Sequence, residues 1–343
     1  MNGPDRKLSV APMMDWTDRH ERFFLRQITA RTLLYTEMIT TGAILHGDRD
    51  RLLGFNVCEH PLALQVGGSD PGALARCAGI AHELGYDEIN LNVGCPSDRV
   101  QSGRFGACLM AEPARVAECV AAMAGTGIPV TVKCRIGIDG RDGFDDLLEF
   151  VAATRSGGVK SFAVHARIAV LDGLSAKQNR EIPPLRYDDV YRLKAAVPEL
   201  EIVINGGVRN LHEALDHLAH VDGAMIGRAA YQNPWMLADA DRAVFGVTAP
   251  GPSPDQVINR MVEYAEKHLR AGGRLGHITR HILGLFQGVP GARAWRRHLS
   301  ENAHLPGAGT EVLRAAAALV PAEIRAARPG ADKVVLGDAR LRR

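Results

Sequence analysis

The chain has 343 residues, of which 46% are hydrophobic and 23% are charged, and its formal net charge is +2. It is longer than one domain of about 100–150 residues, which favours one large α/β barrel with a smaller appendage, or two mid-sized domains. Every apolar run is shorter than the roughly 20 residues of a membrane helix, and the amino terminus lacks the apolar core of a signal peptide. We therefore expect a cytoplasmic protein that does not associate with a membrane.

Short β-branched runs alternate with helical stretches over the first 248 residues. The predicted strands are Leu8–Ala11, Leu33–Met38, Leu62–Gly67, Glu88–Val93, Val130–Ile136, Ser161–His165, Glu201–Asn205 and Gly223–Gly227. The predicted helices are Pro71–Leu84, Pro113–Ala124, Asp145–Ser156, Tyr187–Val197, Leu211–His220 and Asn233–Val244. This alternation predicts a (β/α)8 TIM barrel. A doubly wound sheet is the alternative, but the chain has neither a G-x-G-x-x-G turn nor the Gly-Lys dipeptide of a Walker A loop.

A proline-rich segment at 249–254 interrupts both helix and strand, and it predicts a domain boundary. The helical stretches beyond it are Asp255–Arg270, His277–Phe286, Ala292–Asn302 and Gly309–Leu319. We therefore predict a barrel domain at 1–248, a small all-helical domain at 249–328 and a loosely ordered tail at 329–343. From Pro250 onward Lys and Arg outnumber Asp and Glu by seven, which favours a polyanionic partner such as a nucleic acid.

Polar residues alternate with apolar ones in the third to sixth predicted strands. Because the apolar face must pack on the helices, the polar face points into the barrel. The polar residues that lie near the carboxyl ends of these strands are Gln65, Asn92, Lys133 and His165. One inward polar residue is usually a satisfied core group, but residues from four consecutive strands, including a lysine that is costly to bury, predict a functional site.

Glycines end the last two predicted strands, in Asn205-Gly206-Gly207 and Gly227-Arg228. The loops after the seventh and eighth strands of this fold often bind phosphate through backbone N–H groups. Glycine lets the backbone approach an anion, and an arginine adds a forked donor. Tight turns alone are the alternative interpretation, but the adjacent arginine favours a cofactor that carries a phosphate.

Cys95 differs in its setting from the cysteines at 58, 77, 108, 119 and 134. It follows the fourth predicted strand in a turn between Gly94 and Pro96, at the mouth of the barrel. Histidine is absent nearby in the sequence, so activation of this thiol as a nucleophile is not indicated. A neutral thiol with a pKa near 8.5 can instead deliver a proton to a carbanion at neutral pH.

No metal site is predicted. The cysteines lack C-x-x-C spacing, and the histidines do not form an H-E-x-x-H motif. His277 and His281 share a helix face, but no third ligand follows at a suitable distance.

Seven motifs occur in a fixed order along the chain: Ala11-Pro12-Met13, Leu64–Gly68, Asn90–Pro96, Val132–Arg135, His165-Ala166-Arg167, Asn205-Gly206-Gly207 and Ile226-Gly227-Arg228. In these motifs the chain resembles the tRNA-dihydrouridine synthases, which are flavin-dependent barrels, up to about residue 320. Two further stretches, Gly173–Leu185 and Gly291–Arg297, resemble the A subfamily, which is associated with uridines 20 and 20a of the D-loop.

The resemblance implies the cofactors, the substrate and the residues that bind them. The residues implied to hold FMN are Pro12, Met13, Met14, Gln65, Lys133, His165, Asn205, Gly206, Gly207, Gly227 and Arg228. Those implied to contact tRNA are Asn92, Gln178, Glu181, Arg293 and Arg296. NADPH would reduce FMN, a hydride would pass to C6 of the uracil, and Cys95 would protonate C5, which yields 5,6-dihydrouridine. We expect tRNA as the partner, with no protein partner.

Two other functions remain open at this point. An FMN barrel oxidoreductase of a small pyrimidine or enoate would share the flavin site but would not need a basic carboxyl-terminal domain. A non-catalytic RNA-binding barrel would need that domain, but it would not need Cys95, Lys133 and the phosphate-binding glycines together.

Overall fold

The computed structural model describes residues 3–329, and its central element is an eight-stranded parallel sheet. The strands are β1 (Leu8–Val10), β2 (Leu34–Thr40), β3 (Leu62–Gly67), β4 (Glu88–Val93), β5 (Val130–Arg135), β6 (Ser161–His165), β7 (Glu201–Asn205) and β8 (Gly223–Ile226). Their order is β1-β8-β7-β6-β5-β4-β3-β2, and a parallel bridge between Ser9 and Leu33 joins the two ends. The sheet therefore closes into a barrel, which confirms the predicted (β/α)8 fold class.

Helices follow most of the strands. Those between β1 and β8 are α1 (Arg19–Arg26), α2 (Thr41–His46), α3 (Arg49–Leu53), α4 (Pro71–Glu83), α5 (Asp98–Ser102), α6 (Pro113–Ala124), α7 (Phe144–Arg155), α8 (Tyr187–Ala196) and α9 (Leu211–Leu218). Those after β8 are α10 (Arg228–Gln232), α11 (Ala240–Ala243), α12 (Pro254–Arg270), α13 (Leu275–Ile282), α14 (Ala292–Asn302), α15 (Glu311–Ala318) and α16 (Ala322–Ala326). Short 3-10 helices cover Val57–Glu59, Gly106–Ala111, Gln178–Arg180 and Pro234–Asp239.

Local sequence signals explain where the longest helices begin. The Asp70 side chain caps α4 by accepting a hydrogen bond from the Ala73 amide, and Pro71 occupies the first turn. Ser253 and Gln256 form a reciprocal capping box at the start of α12. The proline-rich segment at 249–254 therefore leads directly into a well-capped helix.

The alternation of side chains along the strands divides the core of the barrel unit into two layers. Residues that face the barrel interior form one buried cluster: Ala11, Leu33, Tyr35, Ala63, Ala163, Val203 and Met225. The apolar residues of opposite parity, such as Leu64, Ile89 and Leu91, are fully buried as well. Small side chains at 63 and 163 leave room inside the barrel for longer polar residues two positions further along the same strands.

The described chain consists of two compact units. The first comprises Thr32–Gly227 together with the described residues before Asp18, and the second comprises Asp18–Arg31 and the residues from Arg228 onward. The division thus falls at 227/228, ahead of the proline-rich segment, and it assigns α1 to the helical unit although α1 lies between β1 and β2. The predicted tail lies outside the described residues, except for Pro329. Among residues 3–329, no helix has the length and apolar character that a membrane crossing requires.

Candidate active site

A continuous chain of hydrogen bonds runs through the interior of the barrel from strand to strand. Asn92 donates from Nδ2 to Oε1 of Gln65 (2.9 Å), and Gln65 donates from Nε2 to Oδ1 of Asn90 (2.8 Å). Asn90 donates to Oγ1 of Thr131 (2.8 Å), which in turn donates to the carboxylate of Glu88 (2.5 Å). Because each group donates to the next, this series of hydrogen bonds fixes the orientation of the side-chain amides of Gln65 and Asn92 at the carboxyl ends of β3 and β4.

The carboxylate of Glu88 anchors this chain at the amino-terminal end of the barrel. It accepts hydrogen bonds from Nε of Arg6 (2.7 Å) and from the hydroxyl of Tyr35 (2.8 Å). Arg6 also pairs with Glu201 (2.9 Å). Burial raises the pKa of Tyr35 well above its usual value, and the Glu88 charge adds to this rise. The amino-terminal end is therefore a closed, charge-paired layer, which leaves the carboxyl end for chemistry.

Lys133 is a half-buried cation inside the barrel. Its Nζ donates to Oδ1 of Asn205 (3.0 Å), and Nδ2 of Asn205 donates to the backbone carbonyl of Met225 (2.8 Å). Burial lowers the pKa of Lys133 to about 8, and the nearby charge of Arg135 acts in the same direction. An anion next to the ammonium group would restore its charge, so the position suits an anionic ligand.

His165 lies next to the glycine turn that follows β7. Burial lowers the pKa of His165 well below its usual value, and the charges of Arg135 and Lys133 lower it further. Its Nδ1 is buried and has no hydrogen-bond partner among residues 3–329. A Cβ at Gly206 would lie 3.1 Å from the ring, and Gly206 has a φ of +107°. Glycine is therefore required at this turn both for the backbone conformation and for the approach of the ring.

The turn after β4 holds Cys95 in a defined position. Oδ1 of Asn92 accepts hydrogen bonds from the amides of Gly94 (3.1 Å) and Cys95 (3.0 Å). The Cys95 carbonyl accepts from the Ala107 amide (2.9 Å), and its Sγ lies 3.5 Å from Oγ of Ser97. The thiol is half-exposed. Asn92, which the sequence assigned to substrate contact, therefore also positions the cysteine.

Burial separates Cys95 from three of the other cysteines. Cys77, Cys119 and Cys134 are buried, and desolvation raises their pKa values to about 11, 11 and 12. Such thiols are inert packing groups at neutral pH.

Arg135 fastens two loops at the carboxyl end of the barrel, a role that sequence reasoning did not assign. Its Nε donates to the carbonyl of Gly94 (2.9 Å), while Nη1 donates to the carbonyls of Ile168 (2.8 Å) and Asn179 (2.9 Å). Burial lowers its pKa to about 10. Its inward parity, shared with Thr131 and Lys133, is the sequence signal that marks it.

The loop after β6 carries two of the residues that the resemblance assigns to tRNA contact. Buried Asn179 holds the loop by bonding the backbone of Val170 and Leu174. Next to it, Oε1 of the exposed Gln178 accepts from the amide (2.9 Å) and hydroxyl (2.8 Å) of Ser175. Glu181 is exposed and follows the 3-10 turn. These two side chains lie on the surface of a loop that has an internal anchor.

The remaining assigned residues occupy three other places. Pro12, Met13 and Met14 form the turn after β1, in which the Met13 amide donates to Oγ1 of Thr17 (3.0 Å) and Met14 is 56% exposed. Gly227 ends the first unit, and Arg228 begins α10 in the second. Arg293 and Arg296 lie on α14.

The interior residues fit an anionic cofactor that has a planar hydrogen-bonding edge. The side chain of Lys133 bonds an amide, Asn205, and among residues 3–329 neither Lys133 nor His165 forms an ion pair with an Asp or Glu. The unpartnered Nδ1 of His165, the glycine turn after β7 and the oriented amide of Gln65 supply further donors and acceptors at the carboxyl ends of the strands. FMN has such an edge and a phosphate, and the residues present fit it.

Residues 9–320 match the family model for dihydrouridine synthase. The chain belongs to the dihydrouridine synthase family. It is 61% identical over 317 residues to the tRNA-dihydrouridine(20/20a) synthase of Vibrio cholerae, a match that covers 92% of this chain and 97% of that protein. It is 62% identical to the protein of the same name from Shewanella oneidensis, a match that covers 91% of this chain and 93% of that protein. It is 57% identical to the one from Escherichia coli, with 92% of this chain and 96% of that protein covered.

Membership of the dihydrouridine synthase family confirms the resemblance that the sequence motifs indicated, and with it the prediction that the chain is an enzyme. Among solved structures the chain is similar to morphinone reductase in complex with tetrahydroNAD, with a TM-score of 0.47 and 12% sequence identity over 73% of this chain and 90% of that one.

Proposed function

We propose that this chain reduces uridine to 5,6-dihydrouridine in the D-loop of tRNA, at positions 20 and 20a, with FMN as cofactor and NADPH as electron donor. The family membership and the names of the relatives support the reaction class. The observation that carries the proposal for this chain is the half-exposed Cys95, which Asn92 holds by its backbone amide. A proton donor at this carboxyl end of a barrel with a cationic interior suits reduction of a carbon–carbon double bond.

The interior residues divide the binding of FMN between its two ends. When bound, FMN supplies the hydride that NADPH provides. Lys133 would hold the electron-rich N1–C2 edge of the ring, and Gln65 would bond the same ring system. The turn of Pro12, Met13 and Met14 would contact the ring as well. The ribityl phosphate end of FMN would be held by His165, Asn205, Gly206, Gly207, Gly227 and Arg228.

Cys95 donates the proton to C5 of the uracil in this proposal. The base must leave its stack in the tRNA to reach the barrel mouth, as in other enzymes that modify a nucleobase. Asn92, Gln178 and Glu181 would contact the tRNA from the barrel unit. Arg293 and Arg296 would contact it from the basic helical unit, which we assign to tRNA binding.

Replacement of Cys95 tests the proposal, because it should abolish proton donation without affecting cofactor binding. Cys95→Ala should retain FMN and its reduction by NADPH, since the thiol is assigned to the substrate side. Formation of dihydrouridine at positions 20 and 20a should fall by about 10²–10⁴-fold, the usual cost of a lost general acid. Cys108→Ala is a matched control, because Cys108 is also half-exposed but bonds the Phe105 carbonyl and has no assigned role.

Other outcomes separate the two alternative functions. Purified protein that contains no flavin would overturn the enzymatic proposal and favour an RNA-binding barrel. Flavin that is reoxidised by a free pyrimidine or an enoate, but not by tRNA, would indicate a small-molecule oxidoreductase. Undiminished dihydrouridine formation by Cys95→Ala would remove the cysteine from the reaction.

A further inference from the structure

Three histidines from three helices converge in the helical unit. His20 lies on α1, His268 on α12 and His277 in the first turn of α13. All three belong to the second compact unit. One ring nitrogen from each lies within 4.8 Å of the corresponding nitrogens of the other two. Nε2 of His268 and Nδ1 of His277 are 3.3 Å apart.

The spacing of these nitrogens is that of ligands on a tetrahedral metal ion. With Zn–N distances of about 2.0–2.1 Å, two tetrahedral ligand nitrogens are separated by about 3.3–3.4 Å. The His268–His277 pair already has this separation, so an ion bound by both would not require their rings to move apart. His20 is slightly further away, and a small rotation of its side chain would complete the set.

Surrounding groups orient two of the three rings. The hydroxyl of Tyr264 hydrogen-bonds Nδ1 of His20 (2.8 Å), which leaves Nε2 of that ring as the ligand atom. Gly273 packs against the ring of His268, and a Cβ there would lie 2.1 Å from Nε2. Metal-binding histidines commonly have a partner such as Tyr264 on the other ring nitrogen, because it fixes the tautomer.

Burial favours the neutral form of two of the three ligands. Burial lowers the pKa of His20 to about 4 and also lowers that of His268. Arg19 lowers both values further, whereas Asp18 partly opposes the shift at His20. Neutral imidazole is the form that binds a metal ion.

We propose that His20, His268 and His277 bind one Zn²⁺ ion, which links α1 to the α12–α13 hairpin within the helical unit. Three protein ligands leave a fourth position open, and the exposure of His277 makes that position accessible to water. Sequence reasoning paired His277 with His281 instead. His281 is 1% exposed and contacts Asp18 and Tyr231, so it is not part of the cluster.

Metal binding to tag-free holoenzyme tests this site. The protein is treated with EDTA, desalted, and dialysed against Zn²⁺, and the bound metal is measured together with the thermal unfolding midpoint. We expect one additional Zn²⁺ per chain in wild type compared with His277→Ala, and affinity at least tenfold weaker in that variant. At free Zn²⁺ of one hundred times Kd, the unfolding midpoint of wild type should rise by about 5–10 °C.

A control variant and a spectroscopic probe distinguish this site from metal binding elsewhere on the chain. His304→Ala should bind like wild type, because His304 is an exposed histidine of the same unit that bonds the Ser300 carbonyl. Co²⁺ in place of Zn²⁺ should give the visible absorption of a tetrahedral nitrogen site, without the thiolate bands that binding to cysteine would produce. Equal binding by wild type and His277→Ala, or thiolate bands from wild type, would overturn the proposal. The helical circular dichroism signal at 222 nm verifies that each variant is folded.

Discussion

Lys133 provides a test of the cofactor site through pH alone. Its ammonium group contacts Asn205, and burial holds its pKa at about 8, well below that of a free lysine. In the protein without FMN, the group therefore loses its charge as the pH rises through 8. If the N1–C2 edge of FMN binds next to it, the hydrogen-bond acceptors of that edge stabilise the charged form of Lys133 and raise its pKa again.

The size of the effect follows from this linkage. With a pKa of about 8, roughly nine-tenths of the free Lys133 groups are charged at pH 7 and roughly one-tenth at pH 9. Binding at pH 9 must then include uptake of a proton, so the affinity for FMN should fall about tenfold between these pH values, or about 1.4 kcal/mol. A phosphate monoester has its second pKa near 6, so the phosphate group contributes little to this change.

Titration of the flavin-free protein with FMN, followed by flavin fluorescence from pH 7 to pH 9, measures this dependence. Lys133→Arg should bind FMN with little dependence on pH, because arginine stays charged throughout the range. Lys133→Gln should bind more weakly at pH 7 and also lose the dependence. Wild-type affinity that is constant between pH 7 and pH 9, or equal slopes in wild type and Lys133→Arg, would refute the placement of Lys133 against the N1–C2 edge of the cofactor.

Two further predictions concern stability and RNA binding. Glu88→Ala should lower the free energy of unfolding of the barrel unit, measured in urea, by about 3–5 kcal/mol, because it removes the buried partner of the Arg6 guanidinium. As a control, Glu118→Ala removes one partner of an exposed ion pair and should lower the free energy of unfolding by at most about 1 kcal/mol. Similar losses in both variants would contradict the assigned role of Glu88. Replacing Arg293 and Arg296 together by alanine should weaken tRNA binding by about 1–3 kcal/mol and flatten its salt dependence, with flavin reduction by NADPH unchanged. Equal affinities and slopes in a salt titration would mean that these arginines do not contact tRNA.

Periodicity was sufficient to locate most of the barrel. The bounds of β3, β4, β6 and β7 are those that the sequence predicted, because alternation and flanking turn residues are local signals. Parity also predicted that Gln65 and Lys133 lie inside the barrel, where their hydrogen bonds to Asn92 and Asn205 are found. The predicted helix Asn233–Val244 is instead a 3-10 turn at Pro234–Asp239 followed by the short α11.

The features that sequence missed depend on contacts between distant residues. Helix α1 belongs to the helical unit although it lies early in the chain, and local sequence patterns cannot detect a contact between residues so far apart in sequence. The three-histidine cluster combines His20 with residues 248 and 257 positions later, whereas the i, i+4 rule could test only neighbours on one helix. The role of Arg135 likewise depends on the loop carbonyls of Ile168 and Asn179, which carry no sequence signature.

The hydrogen bonds of Asn92 and Arg135 position two different parts of the proposed site, namely Cys95 and the loop after β6. Asn92 fixes the amide of Cys95 and is itself bonded to Gln65, so the proton donor is positioned by strands of the barrel. Arg135 bonds the same turn at Gly94, and it also holds the loop that carries Gln178. If the proposed roles hold, a change within the strand network should alter proton transfer, whereas a change confined to the exposed loop should alter substrate contact.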